Sequence, residues 1–303
     1  MSDIKLYRID NGKASELAGS ALAIEKTLQT LIERNLDATL AIRFVASEHS
    51  TGKAHSGRID TLGLDENGSP VILEYKRSAN ENVINQGLFY LDWLLDHRAE
   101  FTLLAMKALG SEVEEEIDWS APRLVCIAGD FTRYDEHAVS QIGRNIELYR
   151  YRWYEDGFMV LELVNSKAGM VEAGPPNGGS RQKQAQKTVS AFLEQAGAEL
   201  RSLYDSLDGF VLGLGDDVSM KTTRYYLAYR RIKNFACVQV HPQTGQLLVF
   251  LKVNPDDIAL EDGFARDVRE IGHQGTGDLE LRIGSLDDLE RAKPLIEKSY
   301  DAS

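Results

Sequence analysis

The chain has 303 residues, a formal net charge of −13, 43% hydrophobic residues and 27% charged ones. That balance excludes a disordered, collagenous or fibrous chain and fits one large globular domain or two of ordinary size. The acidity argues against coating nucleic acid by bulk charge and leaves room only for a local basic groove.

The opening residues, MSDIKLYRIDNGK, lack the apolar stretch of a secretory signal. No run approaches the roughly 20 apolar residues that span a bilayer, so a cytoplasmic protein without a membrane partner is expected. A short strand is predicted around Ile4 to Ile9. An amphipathic helix follows from about Ser20 to Leu36, with Ala21, Ile24, Leu28, Leu31 and Ile32 as its apolar stripe. Arg58–Leu64 and Val71–Lys76 read as two strands, joined by Asp65-Glu66-Asn67-Gly68-Ser69 in a hairpin. A helix is predicted over Glu81–His97. The acidic run of Glu112, Glu114, Glu115, Glu116 and Asp118 reads as a solvated loop or helix end rather than a metal site. Then come a buried strand, Arg123–Ala128, a helix near Asp135–Asn145, and strands Glu147–Trp153 and Phe158–Leu163. This order gives an α/β domain with a mixed sheet rather than a doubly wound parallel one.

Lys167 to Gln186 is rich in glycine and proline and has almost nothing to bury, so it reads as a linker. It separates a first domain, 1–166, from a second, 187–303. The second half opens with a helix over about Lys187–Ser206. Strands follow near Thr222–Arg230, Phe235–His241, Gln246–Val253 and Asp278–Ile283. A terminal helix has Ser285 as N-cap and Asp288 at N3. Pro294 predicts a kink or break in that helix. The pattern is a smaller α+β domain. Cys126 and Cys237 both sit in apolar runs and read as reduced, buried thiols; two thiols are too few for a cysteine-based zinc site.

The chemistry concentrates in the hairpin. Asp60 is followed, after thirteen residues, by Glu74-Tyr75-Lys76. Side chains alternate along a strand, so Glu74 and Lys76 share a face. A three-residue loop, Glu66–Gly68, puts Asp65 opposite Ser69 and Asp60 opposite Glu74; a two-residue loop would put Asp60 opposite Tyr75. Gly68 in a left-handed conformation suits the longer loop. Two carboxylates at cross-strand distance repel, and a divalent cation between them removes that repulsion. A small set of oxygen ligands suits Mg²⁺, with Mn²⁺ as a substitute. Lys76 beside the pair can orient water and offset phosphate charge, which is equipment for phosphodiester hydrolysis. The same residues would also make a surface ion-pair ladder.

Asp60 with Glu74-x-Lys76, in the wording GRIDTLGLDENGSPVILEYKR followed by NVINQGLFYLDWL, resembles the PD-(D/E)xK nuclease superfamily. Within it, the stretch looks most like the catalytic domain of the NucS endonucleases. The resemblance covers Ser20 to Leu95 and extends to Leu163; the superfamily's proline is Ile59 here, and no stretch matches the NucS DNA-binding domain. It implies a restriction-endonuclease-like fold, a Mg²⁺-dependent endonuclease and DNA as partner, and a homodimer would suit double-strand cutting. It also asks for a glutamate on the first helix. Glu25 lies about 20° from Ile32 around the helix, whereas Glu33 lies nearly opposite the apolar stripe, so Glu25 is the choice as third metal carboxylate. A glutamine and a tyrosine follow in the family near metal and phosphate, and Gln86 and Tyr90 match them, four residues apart on one helix face.

In the second half, Arg224, Tyr229, Arg230, Arg231 and Lys233 interleave cations with aromatics and read as a nucleic-acid contact, or as a basic strand face with its tyrosines in the core. Arg150 and Arg152, with Tyr149, Tyr151, Trp153 and Tyr154, form a similar cluster. Gly272-His273-Gln274-Gly275-Thr276-Gly277-Asp278 reads as a structural turn. It lies in a stretch resembling small uncharacterised domains found at the end of nuclease-like proteins. Two rivals stand beside the nuclease. One is a non-catalytic nucleic-acid-binding or interaction protein on the same scaffold. The other is an enzyme whose chemistry centres on His273 and its glycines.

Overall fold

The computed structural model describes residues 4–20, 25–52, 57–76, 83–167 and 188–303. The chain divides into two compact units, Met1–Glu172 and Ala173–Ser303. Residues 168–186 of the expected linker lie outside the described residues, and Lys167 ends a strand.

The first unit opens with a ribbon of β1 (Leu6–Asp10) and β2 (Lys13–Leu17). Asn11 and Gly12 turn it with φ of 48° and 75°, the left-handed pair that a two-residue hairpin requires. Then follow α1 (Glu25–Arg34), α2 (Leu36–Leu40), β3 (Ile42–Ser50), β4 (Arg58–Asp65) and β5 (Pro70–Lys76). Next come α3 (Val83–Asp96), α4 (Arg98–Leu109), α5 (Val113–Glu116), β6 (Arg123–Ala128), α6 (Arg133–Gln141), β7 (Asn145–Trp153) and β8 (Met159–Lys167). The six strands lie in chain order, β3-β4-β5-β6-β7-β8. β5–β6 and β6–β7 are parallel and the remaining neighbours antiparallel. The parallel pairs follow from the connections, because each is bridged by helices and only a crossover returns the chain in the same direction.

Helices flank the sheet, in the α/β arrangement expected. Leu62, Ile72, Leu124 and Cys126 pack with Leu91, Trp93 and Leu94 of α3 and with Phe101 and Ala105 of α4. Gly87 lets α3 approach closely, since a Cβ there would lie 2.4 Å from Leu124 Cδ1. The first helix is shorter than expected: Asn35 separates it from α2, and Ser20 bridges instead to Trp153. Residues 21–24, including Ala21 and Ile24 of the predicted stripe, lie outside the described residues.

The hairpin has the three-residue loop. Asp65 N–H donates to Ser69 O (2.9 Å), Gly68 N–H to Asp65 O (3.0 Å), and Gly68 has φ of 74°. Asp65 Oδ1 accepts from Asn67 N–H (2.9 Å) and Ser69 N–H (2.8 Å). Its Oδ2 accepts from the buried Arg123 guanidinium (2.8 Å), which also grips Glu147 with two bonds of 3.0 and 2.6 Å. This clamp ties the turn to the central strand.

The second unit contains α7 (Val189–Gln195), α8 (Ala198–Leu212), β9 (Ser219–Thr222), β10 (Leu227–Arg230), β11 (Asn234–His241), β12 (Gln246–Leu251), β13 (Ala265–Asp267), β14 (Leu279–Ile283) and α9 (Leu286–Asp301). Its sheet has the order β13-β14-β12-β11-β10-β9 and every pair is antiparallel. Leu203, Leu207 and Val211 of α8 and Leu289, Ala292 and Ile296 of α9 form a core with Phe235, Val238, Val249 and Leu281.

Three expectations change here. The single helix over Lys187–Ser206 is two helices, broken at Ala196–Gly197. The strand over Thr222–Arg230 is two paired strands. Thr223 makes the bend, its hydroxyl accepting from Tyr226 N–H (3.1 Å) and donating to Tyr226 O (2.8 Å). The terminal helix runs unbroken through Pro294. A helix-interior proline costs about 3 kcal/mol. Burying Leu289 before it and Ile296 after it returns about 1.5–3 kcal/mol each. Its N-terminus is as expected, with Asp288 N–H donating to Ser285 Oγ (3.1 Å).

Candidate active site

The candidate site lies where the sheet splits. Between β4 and β5 the ladder runs from Leu64↔Pro70 to Thr61↔Leu73. On the outer sides it continues further, to Ser50↔Arg58 on β3–β4 and Lys76↔Ala128 on β5–β6. Beyond Thr61, therefore, β4 and β5 part while each stays bonded to its other neighbour. Side chains take over the backbone's role in the gap. Asp60 N–H donates to Glu74 Oε1 (3.2 Å), and Tyr75 N–H donates to Asp60 Oδ2 (3.1 Å). The paired register ends at Thr61↔Leu73, and beyond it the two carboxylates cross-link the separated strands.

β3 turns over at the same level. Ser47 Oγ donates to Glu33 on α1 (2.7 Å). His49, two residues on, meets Glu100 of α4 (3.2 Å) and packs its ring 5.2 Å from that of Trp93. Plain alternation would put Ser47 and His49 on one face. Glu48 between them has φ of 54°, a left-handed conformation rare for a residue with a side chain. Glu48 accepts ion pairs from Lys26 (2.6 Å) and Arg58 (2.5 Å), and the Lys26 bond foremost holds its carboxyl below the usual range.

Glu74 is fully buried, and its Oε2 has no hydrogen-bond partner among the described residues. Burial first, and then the charge of Asp60, pushes its carboxyl up to about 9. Burial also raises Asp60; the Tyr75 N–H and Lys76 oppose that, while Glu25 and Glu48 add to it. Such a pair holds a proton or a cation at neutral pH. Each carboxylate commits one oxygen to a backbone N–H, and Glu74 keeps a dry, unused one. That orphan oxygen fits a hard divalent cation. No three acidic, histidine or cysteine side chains converge into a ready-made metal cluster among the described residues. Asp60 and Glu74 together offer a sparse set of oxygen donors, the kind that Mg²⁺ accepts when water and phosphate complete the shell.

The other expected residues take distinct places. Lys76 Nζ lies 3.5 Å from Glu25 Oε1, so Glu25 stands beside the lysine, and its charge acts on both Asp60 and Glu74. Gln86 Nε2 donates to Tyr90 OH (3.2 Å), which also accepts from Arg58 N–H (3.2 Å). The phenol fills the space beside Gly57, where a Cβ would lie 2.5 Å from Tyr90 Cε1. Gln86 and Tyr90 thus fix the start of β4, two residues before Asp60. Glu33 is not on a solvent face, as its helix angle predicts. It accepts from Gln29 Nε2 (3.0 Å), Ser47 Oγ (2.7 Å) and Thr61 Oγ1 (2.7 Å). The polar side of α1, not only its apolar stripe, packs on the sheet. Gln29 is a residue sequence reasoning missed: its Nε2 also donates to Asp60 O (2.9 Å). A glutamine between Leu28 and Ile32 on the buried side was the available signal.

The basic cluster of the second unit is not one surface. Tyr229 is fully buried and its hydroxyl donates to Asp208 (2.6 Å), so it cannot stack on a base. Arg230 is buried and donates to Ile232 O (2.8 Å). Arg231 pairs with Asp217 (2.7 Å) and lies over the Tyr300 ring. Arg224 is exposed over the Tyr225 ring, and Lys233 is half-buried. In the first unit, Tyr149, Tyr151 and Tyr154 are core residues, and Arg150 is buried against Asp130 and Glu162. Cys126 and Cys237 are buried thiols outside any disulfide. Among the described residues, no helix is long and apolar enough to cross a membrane.

A family described as a domain of unknown function (DUF5655) matches residues 189–303. An uncharacterized protein of Haemophilus influenzae is 26% identical over 304 residues, covering 98% of this chain and 99% of that one. Among solved structures, a repair endonuclease from Pyrococcus abyssi is similar at 21% identity and a TM-score of 0.29, covering 44% of this chain and 49% of that one. An EndoMS–dsDNA complex is similar at 19% identity and a TM-score of 0.25, covering 43% and 46%. The chain spans about half the length of these solved proteins. The similarity is partial.

Proposed function

We propose that the first unit is a metal-dependent endonuclease that hydrolyses phosphodiester bonds in DNA. The observation that carries the reading is the pair Asp60–Glu74 in the split of the sheet, with one orphan buried oxygen, beside a lysine held by a third carboxylate. Asp60 and Glu74 would hold Mg²⁺ or Mn²⁺. When bound, the ion supplies Lewis-acid polarisation of the scissile phosphate and a more acidic water. Lys76, half-buried and steadied by Glu25, orients the attacking water and offsets the charge that builds on the phosphate. Gln86 and Tyr90 hold the Arg58 backbone, and Gln29 holds the Asp60 carbonyl, so the carboxylate is positioned from both ends of its strand segment.

The test is a cleavage assay on single-stranded, branched, mismatched and duplex DNA and on RNA, with Mg²⁺, Mn²⁺ or EDTA. Wild type is expected to cut DNA only with metal. Lys76→Ala is expected to lose at least about 100-fold, the scale of one electrostatic catalytic group. A folded wild type that binds nucleic acid and cuts nothing would favour the non-catalytic scaffold.

A further inference from the structure

Next to the carboxylate pair, two exposed cations from different elements converge on one carboxylate. Lys26 of α1 lies 2.6 Å from Glu48 Oε1, and Arg58 of β4 lies 2.5 Å from Glu48 Oε2. Both head groups face water, with side chains 56% and 68% exposed. The group is wired to Asp60 along two routes. Lys26 donates to Gln29 Oε1 (3.1 Å), whose Nε2 grips the Asp60 carbonyl (2.9 Å). Arg58 precedes Asp60 by two residues, with its backbone N–H fixed on Tyr90.

We propose that Lys26 and Arg58 form a subsite for a backbone phosphate of the nucleic acid next to the cleavage position, and that Glu48 is its placeholder anion. The proposal rests on the nuclease reading above. In a chain of net charge −13, a polyanion is repelled by the whole and must be met by local cations. Solvent-facing ion pairs contribute little, so exchanging Glu48 for a phosphate sacrifices little. A guanidinium on phosphate gains charge-assisted, two-pronged bonds. The left-handed backbone at Glu48 turns β3 over where its neighbours diverge to opposite layers, and the carboxylate there spans from Lys26 to Arg58. Use of Glu48 as a metal ligand is opposed by the two cations already on it.

The test is fluorescence anisotropy of a labelled DNA 20-mer on the full chain, in Ca²⁺, across about 50 to 200 mM salt. Arg58→Gln and Lys26→Gln are each expected to weaken binding about 3- to 10-fold and to lower the salt slope by about one. Glu48→Gln is expected to tighten binding about 3- to 10-fold by freeing both cations. Glu48→Asn, the side chain that best tolerates left-handed backbone, gives a second replacement with the same expected direction. Unchanged or weaker binding in both Glu48 variants, or an unchanged slope in Arg58→Gln and Lys26→Gln, overturns the subsite. If that happens while wild type still cuts and Lys76→Ala does not, the nuclease reading stands and only the subsite falls. A wild type that neither binds nor cuts sinks both.

Discussion

At the scale of single residues, Glu74 sets burial against charge. Its proton affinity is raised by burial and by Asp60, so the metal-free protein keeps it neutral at pH 7 while the unfolded chain ionises it. For a carboxyl raised on folding, the stabilising contribution is full below the unfolded value, near 4.5, and is lost as pH climbs to about 9. Glu74→Gln removes that loss. In EDTA it is expected to be more stable than wild type, by roughly 3 kcal/mol at pH 7 and by little at pH 4.5. Urea unfolding at the two pH values checks this; a Gln variant less stable at both would show that Glu74 is ionised and paired without metal. The same substitution is expected to abolish metal-dependent cleavage, which separates what the residue does for the fold from what it does for chemistry.

At the scale of elements, the hairpin sets the site from its far end. Gly68 has φ of 74°, and a Cβ there would lie 2.0 Å from Glu116 O. Gly68→Ala is expected to destabilise by about 1–3 kcal/mol, read as a lower unfolding midpoint. Arg123 is buried between Asp65 and Glu147, and Arg123→Leu removes the cation from both buried carboxylates. A loss of about 3–5 kcal/mol is expected in urea unfolding. A loss under about 1 kcal/mol would show that the clamp is not needed to hold the turn. This element was legible in the sequence because turn chemistry and alternation agree: only Gly68 suits the left-handed position, and only that loop length brings Asp60 to Glu74. β3 was not legible, because IRFVASEHS loses its alternation where Glu48 turns the strand over. The β1–β2 turn is written plainly in Asn11-Gly12, yet only the first strand's apolar residues suggest an element. Glu33 was misplaced because an apolar stripe marks where a helix packs best, not where its packing stops.

At the scale of the molecule, the two units differ in how far sequence reveals their use. In the first, the carboxylates, the lysine and their spacing are chemistry written in residue types, and the structure brings Asp60, Glu74, Lys76 and Glu25 into one electrostatic neighbourhood. In the second, composition misleads. Tyr229 and Arg230 look like an interface in the sequence, but Asp208 and the Ile232 carbonyl satisfy them inside the fold. Aromatics and cations serve cores and surfaces alike, so their interleaving needs burial to be interpreted. The break at Ala196–Gly197 and the bend at Thr223 are likewise tertiary choices that local propensity does not dictate. The site residues of the proposed chemistry all lie in the first unit, so the second is expected to act on substrate choice or partner binding rather than on bond cleavage.

The most direct measurement pairs metal binding with cleavage in Asp60→Asn, a substitution of nearly equal shape. Mn²⁺ binding by calorimetry, cleavage of the DNA panel and the unfolding midpoint would be taken on the same preparation. The expected result is loss of both Mn²⁺ binding and cleavage with the midpoint kept or raised. A folded Asp60→Asn variant that still cuts DNA at the wild-type rate would contradict the assignment of this site.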